Sequence, residues 1–219
     1  PLVLKAESTE VRIGDRIERM PSTCYAADAE KLRMEAAFCL ARGVRIILQP
    51  FVEGSGYGVS GVFSKGSPIA LLAHRRIREK QPTGGPSALA ETITLDDRLC
   101  LPANRIMRAV GWNGPAMVEF KGDLEGRLNL MEVNARFWGS LPLAEAAGID
   151  FPRIYLDQLK LGPLRAHRRS YRVGIQGRYL LGDTLHLFRV LRGGKTHWPG
   201  RLPGRARALA SYVKACLSG

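Results

Sequence analysis

The sequence predicts an α+β fold of antiparallel sheets with flanking helices. Three observations carry that reading. Residues 54–76 and 116–134 each show two short strand-like runs joined by glycine-bearing turns, and helix-like patterning at 28–43 and 95–110 lies apart from them.

The chain opens on Pro1-Leu-Val-Leu-Lys5, an apolar strand ending in a lysine. Residues 28–43 read as a helix: Asp28 can cap it, Leu32, Ala36, Phe38, Cys39 and Leu40 supply an apolar stripe, and Gly43 ends it. A strand at 44–48 runs into Gln49-Pro50-Phe51-Val52-Glu53-Gly54. The next hairpin pairs 57–63 with 69–76 across Lys65-Gly66-Ser67 and ends in His74-Arg75-Arg76-Ile77-Arg78-Glu79. Strand alternation lets only one of Arg75 and Arg76 face a given side, and Arg75 is the preferred one. His74 reads as an ordinary strand-end residue rather than a general base. Residues 81–87 carry Pro and Gly without helix or strand signals and read as a loop. A helix follows over 95–110.

The most informative stretch is 116–141. Residues 117–120 and 128–133 read as paired strands with a two-residue turn at Glu125-Gly126. That register sets Glu119 opposite Glu132, with Leu128, Leu130, Glu132 and Asn134 on one face. Two carboxylates directly across a sheet repel unless something binds them, and a hard divalent cation does so. Asn134 adds another oxygen, and Arg136 follows two residues on. A one-residue slip would instead put the glutamates on opposite faces and leave Glu119 solvated.

After a short helix at 142–147, a helix runs from about 151 to 161, and the basic third begins at Pro163. Residues 151–219 hold 14 Lys/Arg against 2 Asp/Glu, whereas residues 1–150 hold 19 against 18, so the net charge of +13 belongs almost wholly to the C-terminal third. That asymmetry points to an anionic partner. Residues 171–181 alternate like a strand, Asp183 is placed to cap a helix over 184–191, and Gly193-Gly194, Pro199-Gly200 and Pro203-Gly204 break the chain. Residues 206–217 form an amphipathic helix, with Leu209, Val213, Cys216 and Leu217 on the face expected to pack on the body; a membrane-surface helix is the weaker alternative. No apolar run is long enough to span a bilayer. Four scattered cysteines without C-x-x-C spacing indicate neither zinc nor disulfides, and the expected compartment is the reduced cytoplasm.

Glu119 followed by Glu132-Val-Asn134-Ala-Arg136, within MVEFK and LMEVNARFWGSLPLAEAAGIDFP, resembles the ATP-grasp ligases, in particular carboxylate–amine ligases and carbamoyl-phosphate-synthase-like members. The resemblance covers most of residues 1–160. It implies an ATP-grasp fold with the nucleotide held between two sheets, over a catalytic portion at 1–161 and a mostly helical basic extension at 162–219. It also implies that the N-terminal domain of such ligases is missing. The implied cofactors are ATP and Mg²⁺, with Glu119, Glu132 and Asn134 as metal ligands. Arg136 and one of Arg75 and Arg76 would act on the transferring phosphoryl group. Lys5 would contact nucleotide phosphates, and Gln49, Phe51, Val52 and Glu53 would line the adenine and ribose. Residues 6–14 depart from the family's glycine-rich phosphate loop, holding one glycine, with Ser8, Thr9 and Arg12 as the polar residues there.

The implied reaction is ATP-dependent activation of a small-molecule carboxylate as an acyl phosphate, then attack by an amine or thiol. Two rivals stand beside it. One is a non-catalytic nucleotide-binding or assembly protein that keeps the ATP-grasp body. The other is a nucleic-acid-binding module using the basic third, although that third lacks interleaved aromatics and any helix-turn-helix or zinc pattern.

Overall fold

The computed structural model describes residues 1–8, 10–21, 23–162, 170–193 and 198–217. Thr9, the start of the basic third expected at Pro163, and Gly194 lie outside the described residues. The chain forms two compact units, residues 1–52 with 193–201 and residues 53–192 with 202–219. The units do not divide at the boundary expected at 161/162: the C-terminal helices belong to the body of the second unit.

The first unit is built on an antiparallel sheet of β1 (Leu2–Ala6), flanked by β4 (Cys24–Ala26) and β5 (Ile46–Pro50). Helix α1 (Ala29–Leu40) starts where Asp28 accepts a hydrogen bond from the Lys31 amide at 2.8 Å. Leu32, Ala36 and Cys39 pack with Leu4, Met20 and Val44. Phe38 and Leu40, expected in the apolar stripe, face solvent. β5 begins two residues later than expected because Val44 closes the helix end, its amide bonding the Cys39 carbonyl. The stretch that departs from the glycine-rich loop forms a hairpin of its own, β2 (Glu10–Ile13) with β3 (Arg16–Arg19).

The second unit is an antiparallel six-stranded sheet ordered β10-β9-β6-β7-β8-β11. Its strands are β6 (Ser55–Ser64), β7 (Ser67–Gln81), β8 (Gly84–Ile93), β9 (Gly114–Gly122), β10 (Leu128–Asn134) and β11 (Gln176–Arg178). β6 and β7 meet at Lys65-Gly66, both left-handed at φ 47° and 76°, as a type I′ hairpin turn requires. One sheet face packs Val59, Phe63, Val118 and Phe120 against α2 (Asp97–Ala109). The other packs Val62, Leu72 and Met117 against Trp138, α3 (Leu141–Ala146) and α4 (Phe151–Leu161).

Several expectations are corrected here. The loop expected at 81–87 is a tight turn that enters β8, with Gln81 paired to Gly84. Pro86 sits where the β7–β8 register shifts repeatedly, which is where a strand tolerates a missing amide donor. The strand expected over 171–181 shrinks to β11, because α5 (Leu180–Arg192) already begins at Leu180. Asp183 therefore does not cap that helix. It lies buried in the first turn, bonded to Arg78 and Arg178. Helix α6 (Arg205–Leu217) packs through Ala208, Ser211 and Tyr212, not through Leu209, Val213 and Leu217. The body beneath it presents the Arg78 guanidinium, which needs acceptors: Ser211 supplies its hydroxyl at 2.6 Å and its carbonyl at 3.2 Å.

Candidate active site

The β9–β10 hairpin sets Glu119 directly across from Glu132. It does so by a different route from the expected two-residue turn. The chain turns through residues 123–127, with the Asp123 amide bonding the Arg127 carbonyl and the Gly126 amide bonding the Asp123 carbonyl. Leu128 pairs with Gly122, and Leu130 with Phe120. That register alone would place Met131 opposite Glu119. A register shift between Leu130 and Glu132 then brings Glu132 into line. Leu130, expected to share the glutamate face, is half exposed beside this bulge.

Glu119 is buried on the sheet face that carries Met117 and Leu72. Counting along β7, His74 and Arg76 lie on that face and Arg75 on the other. Arg76 donates to the Glu119 carboxylate, to Glu79 at 3.4 Å and to the Gly85 carbonyl at 3.0 Å. Arg75 instead bonds Glu91 at 3.0 Å near solvent. The preference for Arg75 is thereby reversed: Arg76 is the arginine beside the paired glutamates. Lys121, two residues from Glu119, comes within 4.0 Å of Glu79.

On β10 the Asn134 amide nitrogen donates to Glu132 at 3.2 Å, and Arg136 donates to the Asn134 oxygen at 3.0 Å. Glu119, Glu132, Asn134, Arg76 and Arg136 thus form one bonded cluster. Burial pushes the Glu119 carboxyl up, Arg76 opposes this, and neighbouring Glu132 raises it further; the result lies above the ordinary carboxylate value. The two carboxylates ionise together only with positive charge beside them, and Arg76 supplies part of it. The donors of Glu119, Glu132 and Asn134 are all oxygens, two carboxylates and an amide, a set that suits Mg²⁺. Among the described residues there is no group of three or more His, Cys, Asp or Glu placed to hold a metal ion, so the set rests on two glutamates and an asparagine.

His74 is fully buried, and burial with the nearby Arg76 lowers its pKa to about 4. It fits because Gly58 faces it: a Cβ there would lie 2.4 Å from the ring. A histidine this deeply buried and this weakly basic is poorly placed to take up a proton near neutral pH.

In the first unit, Lys5 and Gln49 share a sheet face. Val3 pairs with both Gln49 and Tyr25, and Lys5 pairs with Ile47, so alternation puts Lys5, Ile47, Gln49 and Tyr25 on one side. This side lies opposite the α1 side, where Leu4 packs. The Phe51 amide extends the ladder to the Pro1 carbonyl, while its ring lies edge-on to Tyr25 and Trp198, at 6.1 and 4.9 Å. Val52 ends this unit and Glu53 opens the second. Gly54 then passes so close to β9 that a Cβ would meet the Gly122 carbonyl oxygen at 1.9 Å. Ser8 and Arg12 bond locally, to the Glu10 and Gly14 carbonyls, and Arg12 also pairs with Asp15 at 3.6 Å.

Sequence reasoning missed Glu79 and Lys121. Lys121 was accessible by counting two residues on from Glu119. Glu79 was not, because the β7–β8 register shifts fall around it.

The model of the family described as ATP-grasp in the biosynthetic pathway with Ter operon matches residues 43–178, and the chain belongs to that family and has the ATP-grasp fold. Among solved structures, the chain is similar to N5-carboxyaminoimidazole synthetase from Staphylococcus aureus (11% identity, 79% of this chain and 43% of that one, TM-score 0.56). It is also similar to the biotin carboxylase domain of Hydrogenobacter thermophilus 2-oxoglutarate carboxylase, solved with MgADP, ADP and bicarbonate (20% identity, 79% and 39% coverage, TM-score 0.53). A third is L-amino acid ligase from Bacillus licheniformis (20% identity, 75% and 39% coverage, TM-score 0.50). The chain spans less than half the length of each. A comparison with curated proteins gives no match. No helix among the described residues is long and apolar enough to cross a membrane.

Proposed function

We propose that this chain carries the nucleotide- and metal-binding residues of an ATP-dependent ligase that joins a carboxylate to an amine or thiol. The observation that carries this reading is the cross-strand Glu119–Glu132 pair, tied through Asn134 to Arg136 and flanked by Arg76. In the first step a substrate carboxylate oxygen attacks the γ-phosphorus of ATP, the bond to the β-phosphate oxygen breaks, and ADP leaves. In the second, an amine nitrogen or thiol sulfur attacks the acyl carbon, inorganic phosphate leaves, and the nucleophile loses its proton.

Glu119, Glu132 and Asn134 would hold Mg²⁺, which when bound neutralises charge on the β- and γ-phosphates. Arg76 and Arg136 flank that set and steady the phosphoryl oxygens as charge moves across them. Arg76 already bridges Glu119 and Glu79, so its fork is held in place before any phosphate arrives. Lys5 and Gln49, on one face of the first sheet, contribute a cation and a polar edge to the nucleotide. Phe51 and Val52 serve through backbone groups, and Glu53 offers a carboxylate to a ribose hydroxyl. Arg75 takes no part.

The test is calorimetric titration of ATP with and without Mg²⁺, on this chain and on Glu132→Ala. Mg²⁺-dependent binding lost in the variant is the expected result. Binding indifferent to both Mg²⁺ and the substitution would overturn the metal assignment.

A further inference from the structure

The face of α6 that the sequence marks as apolar is the face that the fold leaves outside. Ala206, Leu209, Ala210, Val213 and Leu217 recur at helical spacing, and all are exposed; Leu209 and Val213 keep 48% and 46% of their surface in solvent. The opposite side of the helix is committed: Ser211 to Arg78, Tyr212 to Thr184, Ala208 to the interior. Neighbouring α5 does the same. Asp183, His186 and Val190 point inward, while Leu181 and Phe188 stand 60% and 63% exposed.

The charges sort in the same way. Arg189, Arg192, Arg205, Arg207 and Lys214 all lie on these two helices, and Arg205, Arg207 and Lys214 border the α6 stripe. The sole acidic residue of the pair is Asp183, which is wholly buried between Arg78 and Arg178. The exterior of α5 and α6 therefore offers apolar side chains and positive charge, with no exposed carboxylate.

We propose that α6, with α5 beside it, is a docking surface for an anionic lipid bilayer, lying in the headgroup plane with Leu209, Val213 and Leu217 turned inward. Three features select this occupant. The charge is of one sign, complementary to anionic headgroups, and the apolar stripe runs along the same helix, the combination that holds interfacial helices. The exposed side chains lie along the outer faces of two helices, and a cleft of this unit, at Tyr57, Leu95 and Asp123, takes no residue from α5 or α6. A second copy of the same face would bring like charges together. The inference is independent of the proposed ligase chemistry, since none of these residues belongs to the glutamate cluster.

The test is co-sedimentation of the chain with vesicles of phosphatidylcholine alone and of phosphatidylcholine with phosphatidylserine, at low and high salt. The chain should sediment with the anionic vesicles, bind them less in high salt, and bind the neutral ones little. Leu209→Glu with Val213→Glu replaces two exposed side chains, and an unchanged thermal unfolding curve would show that the fold persists. This double variant should weaken vesicle binding about tenfold or more. A second variant, Arg205→Glu with Arg207→Glu, should weaken it with the apolar stripe intact. Failure of the chain to bind anionic vesicles, equal binding to neutral ones, or full binding by the folded Leu209/Val213 variant would each overturn the proposal. So would capture by an acidic peptide in the absence of any vesicle binding.

Discussion

Arg78 on β7 grips both carboxylate oxygens of Asp183 on α5, its Nε at 2.5 Å and Nη2 at 2.8 Å. Arg178 holds the same carboxylate at 2.6 Å. The same short length of β7 also receives His186, at the Glu79 carbonyl, and Arg189, at the Lys80 carbonyl. The C-terminal helices are thus fastened to the strand that carries Arg76 and Glu79 to the site.

Removing one partner of a buried ion pair leaves the other uncompensated, so Asp183→Asn is expected to cost about 3–5 kcal/mol in chemical denaturation. Burial pushes the Asp183 carboxyl up, but the bonds and charges of Arg78 and Arg178 outweigh it and hold the carboxyl below its usual value. A depressed folded value stabilises fully above the unfolded pKa of about 3.9 and is lost as pH falls through the folded value. Acid unfolding of the wild type should therefore show a component below about pH 4 that Asp183→Asn lacks.

His74 gives a second pH dependence, in a higher window. Its folded pKa is about 4, pressed down by burial and Arg76, against an ordinary value of 6.5. Between those values the unfolded chain takes a proton that the folded chain refuses, so stability falls as pH drops from 6.5 towards 4. The difference is worth about 3 kcal/mol at the lower end. Denaturation series of the wild type and His74→Gln should diverge in slope across this window; parallel curves would show that His74 is not the group responsible.

Gly66 tests the hairpin that leads into β7. Its φ of 76° is left-handed, and a Cβ would stand 2.5 Å from the Arg108 Cα and 2.7 Å from the Met107 carbonyl oxygen, both backbone atoms of α2. Gly66→Ala should destabilise by at least about 2 kcal/mol through strain and clash together. Gly126→Ala, at φ 82° with open space around it, carries the strain alone and should cost less.

The local signals were legible where one force decided the outcome. Asp28 caps α1, Lys65-Gly66 turns β6 into β7, and the glutamates face each other. The last came right because two departures offset each other: the turn is longer than two residues, and the bulge at Met131 restores the register. Local pattern failed where long-range charge took over. Asp183 has the sequence context of a helix cap, but Arg78, 105 residues away, draws it into the interior. The α6 stripe was read as a packing face because apolar residues usually pack. Here the buried guanidinium of Arg78 claimed the polar face of the helix instead. Arg75 and Arg76 differ only in strand phase, which no local signal resolved.

That phase is directly testable under the ligase reading. Arg75→Ala removes an ion pair near solvent, to Glu91, and should change stability by less than about 1 kcal/mol with Mg²⁺-dependent ATP binding unchanged. Arg76→Ala removes the cation that faces Glu119 and should alter that binding. Calorimetric titrations of the two variants side by side would refute the assignment if Arg75→Ala proved the more damaging.

Glu119 makes the sharpest link between the geometry and the metal. Burial raises its carboxyl, Arg76 counters, and Glu132 adds to the rise. A raised folded value means that the folded chain holds its proton more tightly than the unfolded one, so ionising Glu119 costs stability as pH climbs through the shifted range. A cation ligated by both carboxylates must displace that proton. Mg²⁺-dependent ATP binding should therefore weaken as pH is lowered through the raised range of this carboxyl, with proton release on binding. Titrations in buffers of different ionisation enthalpy would measure the released protons directly. Glu119→Gln, which has no proton to displace, should show neither the release nor the Mg²⁺ dependence. Proton release that persisted in Glu119→Gln would place the titrating group elsewhere and remove Glu119 from the metal set.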